Sequence, residues 1–135
     1  MLVNKSLELQ KIIILAINSI DYLNDNAICA YTTIPLKVKL PYIKLYSISS
    51  NVIDNVKDLQ RITFDFFVAT NGKTNKQLLE IMEAIYTKLP DKINEINANI
   101  NSDIKIYNIF NVNFNITEDI KNDIWYGHYV ISIDV

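Results

Sequence analysis

With 135 residues, 50% of them hydrophobic and 21% charged, the chain has the length and apolar content for one domain with a real core, too little for two, and too much for global disorder. Thirteen basic residues against 15 acidic ones give a net charge of −2, which removes any general electrostatic attraction to phosphate backbones. One cysteine, Cys29, leaves no internal disulfide and no cysteine-rich metal site.

Over residues 6–23, Leu9, Ile13, Ala16, Ile17 and Ile20 recur at three- and four-residue spacing, which predicts an amphipathic helix ending at the turn cluster Asn24-Asp25-Asn26. Residues 27–33 are β-branched and aromatic enough for a first strand. Pro35 and Pro41 bracket a stretch unsuited to a central strand, and the second strand begins at Tyr42 and runs to Ser49, with Ile43 and Leu45 opposite Tyr42, Lys44 and Tyr46. A polar connection over residues 50–58 leads to the third strand, residues 59–70, where Ile62, Phe64, Phe66 and Val68 share one face against Arg61, Thr63 and Asp65.

Asn71-Gly72-Lys73-Thr74 reads as a turn, and Thr74 with Gln77 has the spacing of a capping box that opens a second helix. Its buried stripe is Leu78, Ile81, Met82, Ile85 and Leu89, and Pro90 is expected to stop it because proline cannot supply the next helical N–H. Residues 90–102 then form a connection with room for one helical turn. From 104 to 116 the even positions Ile104, Ile106, Phe110, Val112, Phe114 and Ile116 are apolar, predicting a fourth strand longer than usual, which either bends at a bulge or projects from the body. A fifth strand, residues 125–135, places Trp125, Gly127, Tyr129, Ile131 and Ile133 on one side and forms a long hairpin with the fourth. The order helix, three strands, helix, two strands predicts one α+β domain over residues 1–135, with a single antiparallel or mixed sheet and the helices packed on one face.

Residues that resemble chemistry do not assemble into a mechanism. Thr70-Asn71-Gly72-Lys73-Thr74 sits between strand and helix and contains Gly-Lys-Thr, yet the place of a phosphate loop's first glycine is taken by Phe67. His128 is the only histidine and reads as structural, and Cys29 reads as a buried small hydrophobe. Asp54 with Asp58, and Asp119 with Asp123, have helical pair spacing but fall in segments that read as solvated loops. The expectation is a protein that is not an enzyme, with no catalytic, cofactor or metal residues. Tyr42, Tyr46, Trp125, Tyr126 and Tyr129 are the most suggestive group, since tyrosine and tryptophan supply large contact area at interfaces with little rotamer entropy. No apolar run is long enough for a membrane span, and Lys5, Glu8, Gln10 and Lys11 interrupt any secretory h-region, so a cytoplasmic product is expected.

The whole pattern resembles the tail terminator, or tail completion, proteins of long-tailed bacteriophages and gene transfer agents. The matching features are the N-terminal amphipathic helix, Pro41-Tyr42-Ile43 leading into the second strand, the long strand over 60–70, the turn Asn71-Gly72, the helix over 77–89 and the last strand introduced by Trp125-Tyr126-Gly127. The resemblance covers roughly residues 7–135, and the chain departs from the family in its many asparagines and its long fourth strand. It implies a structural protein of the virion tail, assembled in the host bacterial cytoplasm. That protein is a homo-oligomeric ring, expected to be a hexamer, which caps the head-proximal end of the tail tube and joins it to the head–tail connector protein. Such a ring lets DNA pass through its lumen without specific binding and needs no cofactor. Interface contacts are then expected at Tyr42, Tyr46, Asp54, Lys57, Asp58, Arg61, Asp119, Lys121, Asp123, Trp125 and Tyr126. The alternatives are another small head–tail joining or tail-tube component, or a small ligand-binding α+β domain.

Overall fold

A computed structural model describes residues 2–135, with side chains from Lys5 onward. In chain order the elements are α1 (Leu2–Asn18), α2 (Asp21–Asp25), β1 (Ala30–Tyr31), β2 (Tyr42–Asp54), β3 (Leu59–Asn71), α3 (Lys76–Asn99), β4 (Asn108–Asp119) and β5 (Ile124–Asp134). The strands form one mixed sheet in the order β1-β2-β3-β5-β4, parallel between β1 and β2 and antiparallel elsewhere. The fold is α+β, as expected.

The apolar stripes decide where the core lies. Leu9, Ile12, Ile13, Ala16 and Ile17 of α1 and Leu78, Ile81, Met82, Ile85, Leu89 and Ile93 of α3 are buried against one face of the sheet, made by Ile43, Ile62, Phe64, Phe66, Val68, Tyr129, Ile131 and Ile133. Burying a side chain of this size contributes about 1.5–3 kcal/mol, so this layer dominates the stability. Among the described residues, no helix packs over the opposite sheet face.

Several local expectations are corrected. The first helical segment breaks at Ser19-Ile20 into α1 and α2. β1 is only two residues long: Asn18 takes the place of a strand neighbour, its Oδ1 accepting from Ala30 N at 2.7 Å, before the chain bends away toward Pro35. Cys29, the residue before this short strand, is exposed and not buried. β2 runs on to Asp54, so the connection shrinks to residues 55–58; its last residues pack against neither helix and show no apolar alternation. The Thr74–Gln77 capping box does not form. Asn75 is the N-cap, with φ −88° and ψ 9° rather than an extended backbone, and no side chain caps the helix.

Pro90 does not end the second long helix. α3 passes through it to Asn99, since Ile93 and Ile96 continue the core-facing stripe. A mid-helix proline leaves the carbonyl four residues earlier without its donor. Here that carbonyl, on Tyr86, accepts instead from Asn111 Nδ2 at 3.2 Å. Asn111 reaches it because β4 carries a bulge between Asn111 and Asn113, so that Asn111 lies opposite Ile131 while Asn113 lies opposite Val130. The bulge also breaks the expected dry face of the fourth strand: Phe110 falls on the uncovered side, Val112 is exposed, and Phe114 and Ile116 pack inward. Residues 104–107 are not strand, although Ile104 and Ile106 pack on the core.

Candidate functional site

The sheet face without helices is built from the odd residues of β3 and their cross-strand neighbours. Phe67 sits at its centre, with Lys44 beside it on β2 and His128 on β5. A bulge between Leu45 and Ser47 holds Tyr46 over this face, where its ring meets Phe67 edge-on at 4.8 Å between centroids. Tyr126 and His128 approach the same ring at 6.4 and 5.4 Å. His128 Nε2 pairs with Asp65 Oδ1 on the neighbouring strand. Further along, Thr63 and Ser132 hydroxyls share a hydrogen bond of 2.7 Å, and Arg61 donates to both oxygens of Asp134 at 2.8 and 3.1 Å while stacking on Phe110 at 4.7 Å.

Asp134 is a largely buried carboxylate, its side chain 4% exposed. The Arg61 hydrogen bonds hold it below the usual carboxylate range, against the opposing effect of burial and with help from the Asn108 amide. On the helix-covered side, burial and then the nearby Tyr86 push the Tyr129 phenol well above its ordinary value. Its hydroxyl donates to Asn111 Oδ1. One asparagine thus serves both α3 and β5.

The expected aromatic group is divided by the pleat. Tyr42, Tyr46 and Tyr126 belong to the uncovered face, whereas Tyr129 is fully buried under the helices and Trp125 packs against the core with its indole N–H unpartnered. Trp125, expected at the interface, thus lies partly buried on the core side of the sheet. Phe67, Asp65 and His128, which complete the face, were not among the expected interface residues. Phe67 was legible as an apolar residue on an otherwise polar side of β3, but the Asp65–His128 pairing depends on the β3–β5 register.

Arg61 stays on the uncovered face, and the other expected residues gather at two hairpin tips of matching construction. Asp54 Oδ1 accepts from the backbone of Val56 and Lys57 at 3.0 and 3.2 Å, and Asp119 Oδ1 accepts from Asn122 N at 3.3 Å. Asp58 and Asp123 close the turns with φ of 53° and 55°, the left-handed conformation that Asp tolerates better than most residues. These acids shape the turns. What the turns present is Lys57, Lys121 and two apolar side chains, Val56 at 95% and Ile120 at 81% exposure. Because Arg61 pairs with Asp134 and Asn71 with Ile124, the two tips lie at opposite ends of the sheet. Lys5 of α1 ties the first tip down, donating to the Asp58 carbonyl at 2.9 Å, beside an open groove of about 600 Å³ that also includes Lys57, Lys105 and Tyr107.

Among the described residues no three His, Cys, Asp or Glu side chains gather as metal ligands, and no helix is long and apolar enough to cross a membrane. Against protein-family models and curated proteins, the chain matches none.

Proposed function

We propose that the chain is a structural protein of the phage tail terminator type, a homo-oligomeric ring that caps the head-proximal end of a tail tube and receives the head connector. An end cap must offer separate surfaces in two opposite directions. The observation that carries the reading is the pair of hairpin tips at opposite ends of one sheet, each raising an apolar side chain almost wholly into water. Isolated exposed apolar residues are ordinary, but an exposed valine and isoleucine at the tips of two aspartate-closed turns support burial by a partner. The aromatic patch of Tyr46, Phe67 and Tyr126 on the uncovered face supplies further contact area beside them.

The test is assembly of the cognate tail tubes with and without the protein, scored by electron microscopy. Tubes of uncontrolled length are expected in its absence and tubes of fixed length in its presence. Val56→Asp and Ile120→Asp should leave folding within about 0.5 kcal/mol of the parent, as exposed substitutions do, and each should abolish one of the two activities, tube capping or head joining. Unchanged tube lengths without the protein would overturn the proposal.

A further inference from the structure

The sheet leaves two long edges bare. β1 covers β2 only at Ile43 and Lys44, so beyond that point the outer edge of β2 meets no strand among the described residues. β4 is the last strand on the other side, and its outer edge is open along its whole length. Free edges in natural proteins are blunted by charge, above all by lysine, or by proline. Bulges interrupt both edges, between Leu45 and Ser47 and between Val52 and Asp54 on β2 and between Asn111 and Asn113 on β4, but residues 45–53 of β2 and residues 108–117 of β4 contain neither a charged residue nor a proline. Both also expose apolar side chains, Tyr46, Val52 and Ile53 on one and Val112 on the other.

We infer that these edges pair with each other between copies, the β4 edge of one chain adding antiparallel to residues 46–53 of β2 in the next. Strand direction alternates along β2, β3, β5 and β4, so a neighbour related by rotation about an axis along the strands brings its β2 against β4 in the antiparallel sense. Such a rotation keeps each residue at its own height. The cross-sheet row Ser49, Thr63, Ser132, Phe110 then sets Ser49 of one copy level with Phe110 of the other, where both edges are uncharged and unpaired. Two different edges on one chain make a head-to-tail contact, which closes into a ring where the rotation between copies divides a full turn. The partner is a second copy of this chain, because the two edges match in direction, height and lack of charge. The inference deepens the ring reading and rests on its self-association, not on its tail.

Two variants of the full chain test it, S47K/S49K, which guards only β2, and N113K/N115K, which guards only β4. By sedimentation the parent is expected to assemble, and each variant to associate at least tenfold more weakly. Mixed one to one, the variants should form dimers and nothing larger, since each retains one good edge. Hydrogen exchange of the assembled parent should slow in both edge segments relative to dilute protein. A parent that stays monomeric, an S47K/S49K variant that dimerises alone through β4, or an assembled parent whose edges exchange as fast as the monomer's would each overturn the pairing. Tube-length control by a protein with freely exchanging edges would refute the pairing and keep the terminator reading. Paired rings that leave tube length uncontrolled would do the reverse.

Discussion

Asn111 links three elements through one side chain. Its amide nitrogen satisfies the Tyr86 carbonyl that Pro90 leaves without a donor, and its oxygen accepts from Tyr129. Asn111→Ala would leave a backbone carbonyl and a buried phenol without partners, at a cost of about 1–3 kcal/mol. If the amide is there for the proline, the two positions must couple. In a Pro90→Ala background the helix regains its own N–H for Tyr86, so the Asn111→Ala penalty in denaturant unfolding is expected to fall, giving an interaction energy of at least about 0.5 kcal/mol; additive effects would contradict the assignment. The Asp134 carboxylate makes a separate prediction. Its pKa is lower in the folded chain than its ordinary value of 3.8, so its stabilisation is fully present above about pH 4 and lost as pH falls through the folded value. The stability gap between the parent and Asp134→Asn should therefore be widest near neutrality and close in acid, and a gap that widened in acid would reverse the sign of the argument.

At the scale of elements, β3 and β5 were legible because a regular strand with one face under helices must alternate. In burial, Ile62 to Val68 and Gly127 to Ile131 do so without interruption. β4 was legible as a strand but not in its facing, because a bulge shifts the pattern by one residue and only tertiary contact with α3 shows where. The outer half of β2 was hidden for a related reason: a hairpin that extends past the helices buries neither face and carries no alternation. Pro90 misled because a local rule about backbone donors was offset by a side chain from a strand distant in sequence. Gly127 is explained by packing of β5 on α3. A methyl there would stand 2.7 Å from Met82 Sδ and 2.9 Å from Leu78 Cδ1, both buried. Gly127→Ala is expected to cost about 1–3 kcal/mol by overpacking, read as a lower thermal midpoint, and restored in part by Met82→Ala; a neutral Gly127→Ala would mean that the sheet and helix are not held at this spacing.

At the scale of the molecule, the layer of helices over one sheet face was readable from periodicity, and so was the position of the two polar tips. The candidate surface was only half readable. Tyr46, Tyr126 and the tip residues were visible as aromatic or charged positions, whereas Phe67, Asp65 and His128 joined them only through strand register. Trp125 lies on the core side with Tyr129, Ile131 and Ile133, the side its strand alternation indicated. Bare edges are invisible until strand order is known, since the same uncharged sequence would be a well-covered central strand in another topology. Fold, tips and edges together carry the proposal that the chain docks on other proteins, first of all on itself. Native mass spectrometry of the purified chain over a range of concentrations tests that most directly: a discrete closed assembly, expected to be a hexamer, is the predicted result, and a monomer persisting at the highest concentration would contradict it.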